Sequence, residues 1–108
     1  MIKAQNRLQD KRAVNKVLQR GFKVAGTYFT VRILKIGDQP IKLTVVVGKK
    51  VSKKAVIRNK IKRRVREAFM PYLEARRGVS LVIFPRMQSI DASFETLKNE
   101  AKICLETR

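Results

Sequence analysis

Apolar residues along this chain follow two rhythms, and the switches between them divide it into elements. Over residues 9–20, Ala13, Val14, Val17 and Leu18 gather on one side of a helical projection, and Gly21 reads as its stop. From Thr27 to Ile36 the period drops to two. Phe29, Val31 and Ile33 point one way, while Tyr28, Thr30, Arg32 and Leu34 point the other. Gly37-Asp38-Gln39-Pro40 reads as a turn. Ile41 to Gly48 follows as a second strand, with Ile41, Leu43, Val45 and Val47 toward the core and Lys42, Thr44, Val46 and Gly48 on the other side. The two strands are expected to pair as a hairpin.

A helical rhythm returns at Lys53 or Lys54 and runs into the mid-seventies, where Pro71 kinks it or ends its regular part. Arg76-Arg77-Gly78 closes that segment. Val79 to Phe84 is a third main strand, its ladder bonding limited by Pro85. Ser89 or Asp91 is expected to cap a last helix whose buried side is Phe94, Leu97, Ala101, Cys104 and Leu105. The order helix, hairpin, helix, strand, helix predicts an α+β fold in which helices pack on a small, mainly antiparallel sheet. Residues 1–108 read as a single domain, without repeats, low-complexity tracts or linkers.

The central helix carries the chemistry. Ile57, Ile61, Val65, Ala68, Phe69 and Tyr72 form its apolar arc, and Arg58, Asn59, Lys62, Arg63 and Arg66 fall on the opposite arc at about 100° per residue. From Lys49 to Arg66, ten of eighteen residues are Lys or Arg, and no carboxylate intervenes before Glu67. An ordinary solvated helix face mixes signs. This one presents a stiff cationic ridge, suited to a polyanion. The whole chain bears 26 Lys and Arg against 8 Asp and Glu, a net charge of +18. That charge opposes compaction, so a counter-charged partner belongs to its working state.

Other classes are disfavoured. No apolar run approaches the roughly 18 residues needed to span a bilayer, and the N-terminus has no hydrophobic signal segment. Cys104 is the single cysteine, which excludes an intramolecular disulfide, and a cytoplasmic protein is expected. The chain has no His, the commonest general base and metal ligand. Its carboxylates are scattered, and Asp91 and Glu95 suit a helix N-terminus better than acid–base work. No catalytic residue and no metal site of the protein alone is expected.

Two segments resemble the protein subunit of bacterial ribonuclease P. They are Asn6-Arg7-Leu8 and the run Lys49-Lys50, Ala55-Val56-Ile57-Arg58-Asn59-Lys60-Ile61-Lys62-Arg63 and Arg66-Glu67-Ala68-Phe69. The Ile83-Phe84-Pro85-Arg86 strand end fits as well. The resemblance implies a left-handed strand–helix–strand crossover around the central helix, against the usual preference. It implies a protein that assists a catalytic RNA in removing the 5′ leader of precursor tRNA, with Mg²⁺ bound mainly by the RNA and no protein partner required. Arg58, Asn59, Lys60, Lys62, Arg63 and Arg66 would meet the catalytic RNA, and Lys49, Lys50, Lys53 and Lys54 would extend that surface.

The resemblance also implies a cleft for the single-stranded leader between the first helix and the open sheet face. It would present Val14 and Leu18 with Thr30, Arg32, Thr44, Val46, Gly48 and, at the strand end, Arg86. Family members often carry Phe where this chain has Val14 and Leu18, so leader contacts are expected to lean on shape and charge. Packing of both residues in the core is an equally open reading. Lys60 stands where the family motif has Arg, keeping the charge and losing the fork. The rival readings are a ribosomal protein and a nonspecific nucleic-acid chaperone or membrane-active cationic protein.

Overall fold

Val79 through Ile83 are buried without a break, and this run sets the architecture. A strand buried on both faces is a central strand with a layer on either side. The computed structural model describes residues 6–72 and 77–106. In chain order they form α1 (Lys11–Arg20), β1 (Phe22–Ala25), β2 (Phe29–Pro40), β3 (Lys42–Val45), α2 (Ala55–Phe69), β4 (Arg77–Pro85) and α3 (Phe94–Glu106). The four strands make one sheet in the order β1-β2-β4-β3. Its β1–β2 and β2–β4 pairs are antiparallel, and its β3–β4 pair is parallel. The result is the expected α+β class.

The expected hairpin between the second and third strands is overturned. β4 inserts between them, pairing Val31 with Ile83 on one side and Val45 with Ile83 on the other. The true hairpin joins β1 to β2, and β1 had no signal in the sequence because it is short and mostly exposed. Residues 37–40 do not reverse the chain as a turn. They belong to β2, whose register against β4 shifts between Lys35 and Pro40. Gly37 takes φ 75° there. Arg77 and Gly78 are strand residues rather than a closing turn, and Arg76 lies outside the described residues.

The two faces of the sheet bury different helices. Phe29, Val31, Ile33, Leu43, Val45, Leu81 and Ile83 meet Ile61, Val65, Ala68 and Phe69 of α2 and Leu97, Ala101, Cys104 and Leu105 of α3. The Phe29 and Phe69 rings lie 5.4 Å apart at 49°, a tilted pair that adds about 1 kcal/mol to simple burial. On the opposite face α1 sets Val17 against Leu8 and Val82, flanked by Ala13, Val14, Leu34 and Phe84.

Local chemistry sets the helix ends. Asp10 Oδ1 accepts the Arg12 N–H at 3.0 Å, which starts α1. Gly21 does stop it, in extended backbone with φ −73°. Glycine is needed there for space, because a Cβ would come within 2.5 Å of Val17 O and 2.8 Å of Ile33 O. α2 ends at Phe69, followed by a 3-10 turn through Pro71. Neither Ser89 nor Asp91 caps α3. Ser93 Oγ accepts the Thr96 N–H at 3.1 Å, and Ser89 instead donates to Arg86 O. Phe94, expected in the core, is 40% exposed with Lys98 Nζ 5.6 Å from its ring centre.

Candidate nucleic-acid interface

The loop from Gly48 to Lys54 connects β3 to α2, and its form follows from a few hydrogen bonds. Val51 N–H donates to Gly48 O, and Lys54 N–H donates to Ser52 Oγ at 3.2 Å. Arg58 Nη1 reaches back from the first turn of α2 to Ser52 O and Lys53 O, at 3.0 and 2.9 Å. Lys49, Lys50, Lys53 and Lys54 therefore stand exposed on an ordered loop. Arg58 is half-buried, with one terminal nitrogen committed to that loop. Arg58 is therefore not a wholly free cation.

Along α2 the seam Ile61, Val65, Ala68 and Phe69 is buried, while Asn59, Lys60, Arg63 and Arg66 are exposed and Lys62 is half-buried. Asn59, Lys62 and Arg66 follow one flank by helical spacing. That flank adjoins the β3 edge, because Arg66 lines a pocket with Leu43 and Thr44. Arg64 sits on the other flank and serves packing. Its guanidinium donates to Ser89 O, Ile90 O and Ala92 O, tying α2 to the segment before α3. The ridge is consequently a set of cations on a backbone fixed from both sides.

A groove of about 530 Å³ opens between α1 and the β3 edge, lined by Leu8, Gln9, Lys11, Val14, Asn15, Thr44 and Val46. Three sequence-expected cleft residues, Val14, Thr44 and Val46, are brought together here. Val14 both lines the groove and packs against the Leu8–Val17–Val82 cluster. Leu18 is 36% exposed but does not line the groove. Arg32 turns to the end of α1, its Nη2 donating to Leu18 O at 2.7 Å and Gly21 O at 3.1 Å. Its Nε is buried without a hydrogen-bond partner. Arg86 Nη2 donates to Thr30 Oγ1 at 3.1 Å beyond the groove.

Phe84 is the residue that reading the sequence for a cleft missed. It pairs with Thr30 in the β2–β4 ladder, and Val46 N–H donates to Ile83 O on the other side. The half-buried Phe84 ring thus lies between Thr30 and Val46 on the face that carries α1. The signal was available: Phe84 alternates with the inward-facing Ile83 and Leu81.

Among the described residues, no three His, Cys, Asp or Glu side chains gather where they could hold a metal ion. Hard cations such as Mg²⁺ take oxygen ligands, and the described residues bring no such cluster of carboxylates together. Nor is any helix of the described residues long and apolar enough to cross a membrane. What the surface offers is guanidinium, ammonium, amide and hydroxyl donors beside a partly apolar groove.

The family model for ribonuclease P matches residues 2–107. A ribonuclease P protein component from Bacillus velezensis is 36% identical over 100 residues, covering 90% of this chain and 84% of the relative. One from a Pseudanabaena species is 32% identical over 104 residues, covering 94% and 90%. The solved RNase P protein from Thermotoga maritima is 29% identical with a TM-score of 0.82, covering 94% of this chain and 96% of that one. None of these matches favours a ribosomal protein or a nonspecific chaperone.

Proposed function

We infer that this chain, which belongs to the ribonuclease P protein family, divides its surface between two RNAs. It is the protein subunit of an endoribonuclease that matures the 5′ ends of tRNA. The partner of its basic ridge is the catalytic RNA subunit, and the occupant of its groove is the leader of precursor tRNA. The RNA carries the hydrolysis and holds the Mg²⁺, and the protein alone is inactive. The site of this work is the cytoplasm, and the chain acts as one RNA-binding domain.

The observation that carries the reading is the cationic flank of α2 beside the groove, both held on one sheet. Arg63 and Arg66 present planar forks that grip phosphate bidentately. Lys49, Lys50, Lys53, Lys54, Lys60 and Lys62 supply point charge, and Arg58 adds its free guanidinium edge. Asn59 is the neutral donor and acceptor among them, able to meet a base edge or metal-bound water. Neutralising phosphates releases counterions, so assembly falls steeply with salt.

In the groove, Val14 and Val46 give apolar walls, Thr44 leaves room for a sugar–phosphate backbone, and Phe84 offers a ring near its end. Leu18 and Arg86 extend the same face. Arg32 acts through α1, whose C-terminal carbonyls it holds.

Reconstitution with the catalytic RNA and precursor tRNA at low Mg²⁺ tests the reading. The protein should lower the Mg²⁺ requirement and favour precursor over mature tRNA. A protein that does neither has another function.

A further inference from the structure

Beyond the ridge and the groove, a separate pocket lies at the β3 edge. Residues 6–8 run alongside β3: Asn6 Nδ2 donates to Ile41 O at 2.7 Å, Arg7 bridges Leu43 in parallel, and Leu8 N–H donates to Leu43 O at 2.9 Å. Asn6 and Leu8 are buried, which leaves Arg7 exposed between two fixed neighbours. The pocket encloses about 160 Å³ and is lined by Arg7, Leu8, Gln9, Leu43, Thr44 and Arg66.

Two arginines thus line one small pocket, and among the described residues no carboxylate lines it. Among the described residues neither the Arg7 nor the Arg66 side chain has a hydrogen-bond or ion-pair partner. Like charges brought together repel unless an anion joins them. Gln9 and Thr44 add neutral donors. Two forks with an amide and a hydroxyl suit the oxygens of one tetrahedral phosphate.

We propose that Arg7 and Arg66 form a dedicated site for a single RNA backbone phosphodiester at the junction of ridge and groove. Leu8, Gln9 and Thr44 line both the pocket and the groove. A strand lying in the groove therefore runs directly into the pocket, and the phosphate expected there belongs to the precursor leader. The catalytic RNA offers the same chemistry from the other side. The proposal rests on the two-RNA reading above.

The test uses holoenzyme reconstituted with the catalytic RNA and carrying Arg7→Gln or Arg7→Lys, each checked for unchanged melting temperature. Arg7→Gln should weaken precursor binding on the order of tenfold, the effect of one lost charge-assisted contact. The slope of log affinity against log salt should become shallower by about one, with mature tRNA unaffected. Arg7→Lys should restore the salt slope while leaving affinity short of wild type. Precursors with one neutral methylphosphonate walked along the leader should show a single position at which wild type and Arg7→Gln bind alike.

A loss confined to assembly with the catalytic RNA would still place a phosphate in the pocket, supplied by that RNA. Unchanged affinity and slope in both arms, with wild type still preferring precursor, overturn the pocket alone. A wild-type holoenzyme without that preference overturns the functional reading as well.

Discussion

Glu100 of α3 holds the β1–β2 hairpin by its backbone at Tyr28. Its Oε2 accepts the Tyr28 N–H at 2.7 Å and the Phe29 N–H at 3.0 Å, while Oε1 accepts the Thr27 N–H at 2.9 Å. One carboxylate on the last helix thus satisfies three successive donors about seventy residues earlier. The fit is close: a Cβ on Gly26 would fall 2.6 Å from that carboxylate. Phe29, the third donor, carries the ring that packs on Phe69 of α2.

Glu100→Ala leaves these donors without a partner and should destabilise the fold by about 3 kcal/mol, given about 1–3 kcal/mol for each poorly solvated orphan donor. Glu100→Gln keeps one acceptor oxygen and should fall between. Urea unfolding measures both, and equal stability for all three proteins would refute the role.

Arginines on α2 should separate into two kinds. Arg64→Ala removes the tie to Ser89, Ile90 and Ala92. It should lower the melting temperature and leave the salt slope of catalytic-RNA binding unchanged. Arg66→Ala should do the reverse, with a slope shallower by about one. Arg58→Ala should do both, because its guanidinium also fixes Ser52 and Lys53. Calorimetry and a salt titration on the same three variants decide it.

Phe84→Ala should weaken a precursor with an unpaired leader by about 1–3 kcal/mol, the range for stacking of one base on one ring. Val14→Phe should strengthen it by adding a ring to the groove. Mature tRNA is the control for both, and equal effects on the two RNAs would assign the residues to packing.

At the end of α1 the constraint is steric. Gly21→Ala pushes a methyl against Val17 O and Ile33 O, and should cost about 1–3 kcal/mol, as overpacking does. Arg32→Ala leaves the Leu18 and Gly21 carbonyls without their donor and should lower the melting temperature without RNA present. Full stability in either variant would contradict the geometry.

Burial, with the nearby Glu100 carboxylate adding to it, pushes the Cys104 thiol up from 9.0 to about 11. Raised in the folded state, this group contributes stability that is fully present below pH 9. It is lost as pH climbs toward 11, because the unfolded chain releases its proton first. Thiol alkylation at pH 8 should be slow until denaturant is added, and Cys104→Ala should flatten the alkaline part of the stability curve. Fast labelling of the native protein would show the thiol accessible.

Much of the interface could be read in the linear order of residues. Ile61, Val65, Ala68 and Phe69 recur at helical spacing, so the seam of α2 and its basic back were determined before any folding partner was known. Phe29, Val31 and Ile33 alternate, which likewise fixed their inward face. Strand pairing was different. Alternation is blind to neighbours, and Gly37-Asp38-Gln39-Pro40 imitates a hairpin turn. The apolar run Leu81-Val82-Ile83-Phe84, which does not alternate, was the one local sign that β4 lies in the middle.

Composition and periodicity, being local, determined the three helices, the inward faces of β2, β3 and α2, and the polyanion as partner. Only the tertiary structure decided that β4 separates β2 from β3, that Arg32 and Arg64 spend their donors on backbone carbonyls, and that Arg7 and Arg66 line one pocket. Those relations join residues far apart in the chain. They depend on which surfaces can be buried together, and no spacing rule along a single chain encodes that.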